Sequence, residues 1–144
     1  VSGYLGPESL RETLNYAQDV QGGLFILAAT SNPEAAQLQQ ALIGGRTVAA
    51  NVIDSARDIG QGEMGVVIGA TQNFAEFGIQ QITQQDIGIP ILAPGFGAQG
   101  ARLEDLKQTF GASSHRVIAA MSREFTKHGP EQVGNLIDKA KAKL

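Results

Sequence analysis

The amino-acid sequence predicts an α/β domain built around a parallel sheet, and three observations carry this prediction. Four short apolar runs are nearly continuous in hydrophobicity: Leu24 to Thr30, Gly65 to Thr71, Ile89 to Phe96 and Arg116 to Ser122. Segments with helical spacing separate these runs, and 144 residues are enough for one domain with its own core. Because strands buried on both faces read as continuous apolar runs, we expect four strand–helix units around a parallel sheet.

The segments between the runs predict the helices. After the first strand, Pro33 suits the first position of a helix that Asn32 would cap. The pair Gly44-Gly45 should kink or break this helix, because glycine costs about 1 kcal/mol at an internal helix position. The other expected helices are, in chain order, Pro7 to Gln18, Asn73 to Asp86, a short helix marked by Leu103, Leu106 and Phe110, and a last helix that opens at Gly129-Pro130.

This order of elements allows two architectures, an open doubly wound sheet or part of a (β/α)8 barrel. A complete barrel needs about 250 residues, so residues 1–144 build about half of one, as a single partial domain. The chain begins at Val1 rather than at a methionine, and we therefore expect it to be a segment of a longer protein.

Composition excludes several classes of function. The 11 basic and 14 acidic side chains give a formal net charge of −3, which argues against nucleic acid as a partner. No apolar run approaches the roughly 20 residues of a membrane span. Without cysteine and with only two histidines, 13 positions apart, the chain offers little for a metal site. We expect a soluble cytoplasmic domain without metal.

The most informative stretch is PGFGAQGA, Pro94 to Ala101, directly after the third apolar run. Three glycines in six positions, beginning at Gly95, allow successive backbone N–H groups to form a concavity that binds anions. A helix is expected just after this loop, and its N-terminus would add positive charge. The stretch predicts a phosphate site, with a glycine-rich turn that binds nothing as the alternative.

Polar residues at other strand ends extend this candidate site. Arg123 follows the fourth run, and the loops after the last two strands often hold phosphate in barrels. Alternatively, Arg123 pairs with its neighbour Glu124. After the first run, Ser31 either contacts a ligand or, with Asn32, simply caps the next helix. Thr71 ends the second run and is open to the same two interpretations.

The remaining titratable residues supply no acid–base centre. His115 precedes the fourth strand at its N-terminal end, which is the wrong end of a barrel for catalysis. His128 lies near the start of the last helix and reads as a surface residue. We therefore expect no catalytic residue in this segment.

Four segments in this order, ATSNPEA, GVVIGAT, APGFGAQGA and MSRE, resemble the C-terminal half of orotidine 5'-phosphate decarboxylase, in the bacterial branch called subfamily 2. The resemblance covers essentially the whole chain. It implies barrel strands 5 to 8 of a (β/α)8 barrel, four parallel strands with flanking helices. Members of this family convert orotidine 5'-phosphate to UMP and CO2 with neither metal nor organic cofactor.

The resemblance also implies which residues bind substrate: Ser31, Pro94, Gly95, Gly97, Gln99, Ser122 and Arg123. Gln99 and Arg123 would grip the 5'-phosphate, helped by backbone amides around Gly97 and at Ser122-Arg123. Ser31 would hydrogen-bond the pyrimidine edge, and Pro94 would line the pocket beside it. The family often has glycine where this chain has Ser122, which keeps the amide but makes the loop less permissive.

The family's catalytic array, an Asp-x-Lys-x-x-Asp cluster on the early strands, follows no strand of this chain. Lys107, near Glu104 and Asp105, lies on an expected helix and cannot replace it. The expected partners are orotidine 5'-phosphate or UMP, the missing N-terminal half of the barrel, and a second copy of the chain in a dimer. A phosphate- or nucleotide-binding module without turnover, or part of another phosphate-binding barrel isomerase, remain the alternatives.

Overall fold

The main sheet of the protein has four parallel strands in the order β1-β4-β5-β6, as seen in a computed structural model that describes residues 1–60 and 62–144. The strands are β1 Leu24–Ala29, β2 Leu42–Ile43, β3 Arg46–Thr47, β4 Met64–Ile68, β5 Ile91–Pro94 and β6 Val117–Ala120. The helices are α1 Arg11–Asp19, α2 Pro33–Gln39, α3 Val48–Gly60, α4 Leu106–Phe110, α5 Ser122–Thr126 and α6 Val133–Lys141. All four apolar runs form strands of this sheet, as predicted, with shorter ends.

The two faces of the sheet differ in burial. One register row, Ile26, Val66, Ile91 and Val117, points toward the helices, and its first three members are fully buried. The next row, Leu27, Val67, Leu92 and Ile118, points to the other face. Leu27 is 42% exposed and Ile118 is 52% exposed at the two edges of this row. An apolar inner face therefore remains open.

Sheet order separates the two architectures that the sequence left open. The strands of the main sheet lie side by side in chain order, and helix α3 packs against β1 and β4 on the buried face. A doubly wound sheet would reverse direction at a switch point and cover both faces with helices. Strands in sequential order with one open apolar face form half of a (β/α)8 barrel.

The Gly44-Gly45 pair breaks the helix, as predicted, and also builds a hairpin that the sequence analysis did not foresee. Both glycines have positive φ, 60° and 79°, which suits the two-residue turn between β2 and β3. Thr47 then caps α3, since its Oγ1 accepts a hydrogen bond of 3.1 Å from the Ala50 N–H.

The helix predicted over Asn73 to Asp86 is wrong. This segment consists of turns and one short 3-10 helix, Gln80–Thr83, although Phe74, Phe77 and Ile82 are buried as core residues. The Thr47 hydroxyl donates to the Phe77 carbonyl at 2.6 Å, which takes that carbonyl out of any helix. Tertiary contacts replace helical hydrogen bonds here.

Other helices follow the predictions in outline. The N-terminal helix is a 3-10 turn, Pro7–Leu10, that continues into α1, and it buries Leu14 and Ala17. The short helix α4 follows a 3-10 turn and buries Phe110 completely. Helix α5, directly after β6, was not predicted, and α6 packs loosely with none of its residues buried.

A network of polar residues closes the amino end of the sheet. Asp86, just before β5, accepts two hydrogen bonds from Arg116, which directly precedes β6. The same carboxylate lies 3.2 Å from His115 Nε2 and accepts from the Gly88 N–H at 2.9 Å. The Arg116 guanidinium is the main reason that the pKa of Asp86 lies well below its usual range.

One edge of the sheet is partly covered by the start of the chain. The Val1 amino group donates to the Phe25 carbonyl at 2.8 Å, and the Val1 carbonyl accepts from the Leu27 N–H at 3.0 Å. This is the hydrogen-bond pattern of a parallel neighbour to β1. Within residues 1–60 and 62–144, none of the helices combines the length and the apolar character that crossing a membrane requires.

Candidate phosphate and nucleotide site

The loop after β5 is a compact turn that its own backbone holds together. The Gly97 N–H donates to the Ala101 carbonyl at 2.9 Å, the Gly100 N–H donates to the Gly97 carbonyl at 2.8 Å, and the Ala101 N–H donates to the Gly95 carbonyl at 3.1 Å. Among the described residues, no acceptor takes the N–H of Ala98. The loop is therefore preformed, and it leaves a donor free at its tip.

A small cavity lies where this loop meets the end of β6. Its volume is about 40 Å³, and it is lined by Pro94, Gly95, Phe96, Ala98, Gln99, Ala120, Ser122 and Arg123. A volume of this kind holds a few water-sized groups, roughly one per 10–15 Å³, which suits a phosphate rather than a whole nucleotide. Five of the seven predicted site residues meet here.

Arg123 reaches this cavity as a free cation. It belongs to none of the ion pairs found among residues 1–60 and 62–144, so the alternative pairing with Glu124 does not occur. Glu124 instead lies 3.8 Å from Lys127. Arg123 and Ser122 also begin α5, where backbone N–H groups have no acceptor within the helix.

Gly97 has a structural place beside the cavity rather than in its lining. It has a φ of 74°, and a Cβ there would lie 3.1 Å from Glu124 Cβ. The N–H of Gly97 is used by Ala101, so this amide is not free for a phosphate. Gly97 and Glu124 instead line an outer groove of about 510 Å³ between the loop and α6.

Ser31 lies exposed at the carboxyl end of β1, and the capping alternative is not realised by Asn32. Asn32 is the N-cap residue of α2, but its side chain makes no capping hydrogen bond. Among the described residues, no hydrogen bond involves the Ser31 hydroxyl. The Ser31 side chain is therefore available to a ligand.

The two parts of the candidate site lie at opposite edges of the main sheet, each at the carboxyl end of a strand. Ser31 follows β1 and Arg123 follows β6, three strand positions away, or about 14 Å at the usual strand spacing. Thr71, after β4, stands between them: its Cγ2 lies 3.5 Å from where a Cβ on Gly95 would be, and Gln99 Oε1 lies 3.6 Å from the same point. Thr71 is thus beside the small cavity between the loop after β5 and the end of β6.

Sequence reasoning missed Gln39, which contacts the residue before Ser31. Gln39, the last residue of α2, accepts a hydrogen bond of 2.9 Å from the Thr30 N–H, next to Ser31. Its sequence context, PEAAQLQQ, reads as a polar surface helix, and no pattern distinguishes Gln39 from Gln37. Only the folded structure brings its side chain back to the strand end.

Comparisons with known proteins identify a family whose members match this chain. A family model described as "Orotidine 5'-phosphate decarboxylase / HUMPS family" matches residues 1–134. A protein named orotidine 5'-phosphate decarboxylase from Streptomyces coelicolor is 41% identical over 139 residues, which are 91% of this chain and 48% of that protein. The protein of the same name from Salinispora arenicola is 41% identical over 137 residues, with the same two shares.

The fold agrees with a solved structure of the same kind. A Streptomyces avermitilis protein, described as a candidate orotidine 5'-phosphate decarboxylase, superposes with a TM-score of 0.85 at 38% identity. The match covers 99% of this chain and 51% of that one. This chain therefore spans about half the length of the relatives it matches, in keeping with the C-terminal half of their barrel. On the strength of the family match and this shared architecture, the chain belongs to the orotidine 5'-phosphate decarboxylase family.

Proposed function

We propose that this chain is the substrate-binding half of an orotidine 5'-phosphate decarboxylase, and that it holds the phosphate and the base of the nucleotide. The observation that carries the proposal is the cavity between the loop after β5 and the unpaired Arg123. A guanidinium beside free backbone N–H groups is a strong combination for phosphate oxygens. The whole protein would convert orotidine 5'-phosphate to UMP and CO2.

Six of the seven predicted residues have a role in this proposal, whereas the N–H of Gly97 is used by Ala101 and only holds the loop together. Arg123 and Gln99 grip the phosphate, together with the amide of Ala98, beside Gly97, and the amides that begin α5. Gly95 brings the backbone close to the ligand, and Pro94 forms the wall next to it. Ser31, on the other side of the mouth, hydrogen-bonds the pyrimidine edge. Support for this role is its exposed hydroxyl at a strand end.

The chain alone is expected to bind the nucleotide without decarboxylating it. The reaction needs a fixed ammonium to stabilise charge at the reacting carbon and to protonate it, with carboxylates arranged around it. The sequence contains no Asp-x-Lys-x-x-Asp motif after any strand. This half therefore contributes binding energy from groups remote from the reacting carbon, which serves to organise the site.

The missing N-terminal half of the barrel is the partner that completes this chain. Leu27 and Ile118 are exposed at the two edges of the inner face, where further strands would continue the barrel. A cavity of about 850 Å³ opens on the edge of β1, between the N-terminal segment and helices α2 and α3. Its apolar walls suit a few side chains of a neighbouring strand–helix unit.

Without that half, the isolated chain should associate with itself. An open apolar sheet face, with an unpaired edge at β6 and a partly covered edge at β1, favours contact with a second copy. We expect sedimentation analysis to find a dimer or a larger assembly, and the substitution Ile118→Lys to weaken it. A monodisperse species of 15.1 kDa would contradict this expectation.

Calorimetric titration of the purified chain with UMP tests the binding role. Removing a charged hydrogen bond costs about 1.5–3 kcal/mol, so Arg123→Ala should weaken UMP binding by about 10- to 100-fold. Arg102→Ala is the matched control, because Arg102 is an exposed arginine that faces the outer groove. If the unmodified chain does not bind UMP, the proposal is wrong. Equal affinity for ribose 5-phosphate and UMP would instead identify a general phosphate-binding module.

A further inference from the structure

Gln39 ties the end of α2 to the end of β1 through two contacts. Its Oε1 accepts a hydrogen bond of 2.9 Å from the Thr30 N–H, and its Nε2 lies 3.2 Å from Thr30 Oγ1 as a donor. Both side chains are half-buried, whereas Ser31, the next residue, is exposed. One carboxamide thus satisfies the backbone and the hydroxyl of the same residue.

The pairing between β1 and β4 ends before Thr30, and the contact with Gln39 takes the place of a sheet hydrogen bond there. The register between β1 and β4 shifts after Leu27 and ends at Ala29, whose carbonyl accepts from the Gly69 N–H at 2.8 Å. The Thr30 N–H therefore has no strand partner and would lack an acceptor in a partly buried position. An unsatisfied buried donor is costly, so the Gln39 carbonyl selects the conformation of Thr30.

The conformation of Thr30 determines where the Ser31 side chain points. Thr30 and Ser31 share a peptide unit, and the two soft dihedral angles of each residue set the direction of the chain that follows. Gln39 lies eight positions after Ser31, and one short helix, α2, carries its side chain back to the strand end. The contact between Thr30 and Gln39 thereby holds together the two ends of the segment that contains Ser31.

We propose that Gln39 is the positioning residue for recognition of the base: through Thr30, it orients the Ser31 hydroxyl toward the pyrimidine edge. This inference rests on the proposed function, because it assumes that Ser31 contacts the base. Gln39 itself touches neither the base nor the phosphate. Its effect should therefore be confined to the base end of the ligand.

The test compares three variants of the purified chain by calorimetric titration with UMP and with ribose 5-phosphate. Gln39→Ala should weaken UMP binding by about 3- to 10-fold, the usual effect of one neutral hydrogen bond, and leave ribose 5-phosphate binding unchanged. Gln39→Glu should restore most of the UMP affinity, because its carboxylate still accepts from the Thr30 N–H. Gln37→Ala, an exposed glutamine on the same helix, is the control and should change neither affinity.

Amide hydrogen exchange supplies a readout that needs no ligand. The Thr30 amide should exchange faster in Gln39→Ala than in the unmodified chain and in Gln37→Ala. Unchanged Thr30 exchange, or an unchanged ratio of the UMP and ribose 5-phosphate affinities in Gln39→Ala, would overturn the inference while the proposed function stands. An unmodified chain that binds no UMP would overturn both.

Discussion

The two ends of the parallel sheet use polar residues in opposite ways. At the amino end, Asp86 pairs with both Arg116 and His115, and the fully buried Ser113 hydroxyl accepts from the Ile87 N–H and donates to the Gln85 carbonyl. At the carboxyl end, the side chains of Arg123 and Ser31 have no partner among the described residues. Polar groups that satisfy each other stabilise the fold, whereas those left unpaired are available to a ligand.

This difference indicates that residues at the amino end of the sheet stabilise the fold, whereas residues at the carboxyl end are available to bind a ligand. The amino end joins the segments before β5 and β6, and it should determine how tightly those strands are held. The carboxyl end bears the loops and helix starts to which a ligand can add the missing partners. Substitutions at one end should therefore affect the free energy of unfolding, and substitutions at the other end should affect ligand affinity.

The largest expected effect at the amino end comes from Ser113→Ala. This change leaves the Ile87 N–H without its partner in a buried position, which costs about 1–3 kcal/mol, and it also removes the donor to the Gln85 carbonyl. We expect urea denaturation to show this loss, with UMP affinity unchanged. The neighbouring Ser114→Ala, whose side chain makes none of these bonds, should be close to neutral. Equal stability of the two variants would contradict the prediction.

At the carboxyl end, Gly97→Ala should lower both the free energy of unfolding and the affinity for UMP. A left-handed backbone costs a residue with a side chain about 1–2 kcal/mol, and the new Cβ would also press on Glu124, next to Arg123. Gly44→Ala is the matched control, because Gly44 has a φ of 60° and no atom within 4 Å of the added Cβ. We expect both variants to lose stability, Gly97→Ala at least as much as Gly44→Ala, but weaker UMP binding only in Gly97→Ala. An unchanged UMP affinity of Gly97→Ala would show that the loop after β5 is not part of the binding site.

The smallest effect concerns pH. Because the pKa of Asp86 is lower in the folded protein than in the unfolded chain, the unfolded state binds more protons in acid. The stability that this carboxylate contributes is present above its unfolded pKa, near 3.9, and is lost as the pH falls below it. Asp86→Asn should lower stability at neutral pH and flatten its decline in acid, as followed by thermal unfolding. Asp58→Asn, at an exposed aspartate of α3, should leave the pH profile unchanged.

Arg123→Ala should have the opposite effects to Ser113→Ala, because it should weaken UMP binding and leave stability almost unchanged. Because Arg123 is exposed and unpaired, its removal should change the free energy of unfolding by no more than about 0.5 kcal/mol while it weakens UMP binding. A large loss of stability in this variant would show that the two ends of the sheet are not separated in this way.

The sequence predicted the parts of the fold that local patterns encode. Four apolar runs became the four parallel strands, and the glycine loop and Arg123 came together at neighbouring strand ends, as expected for a parallel sheet. The segment from Asn73 to Asp86 escaped prediction, since its Phe77 carbonyl is held by Thr47 from a distant part of the chain. Gln39 escaped for the same reason, because its partner is nine positions away and no periodicity marks it.

Hydrophobicity and glycine placement by themselves determined that this chain forms strand–helix units with a glycine-rich loop after β5, because those properties depend on neighbouring residues along the chain. Only the tertiary structure decided which hydrogen-bonding groups find a partner and which remain free. It uses the Gly97 N–H within the loop, leaves Arg123 unpaired and assigns Gln39 to Thr30. Each of these outcomes depends on which donors and acceptors meet after folding, and local sequence does not encode such meetings between distant residues.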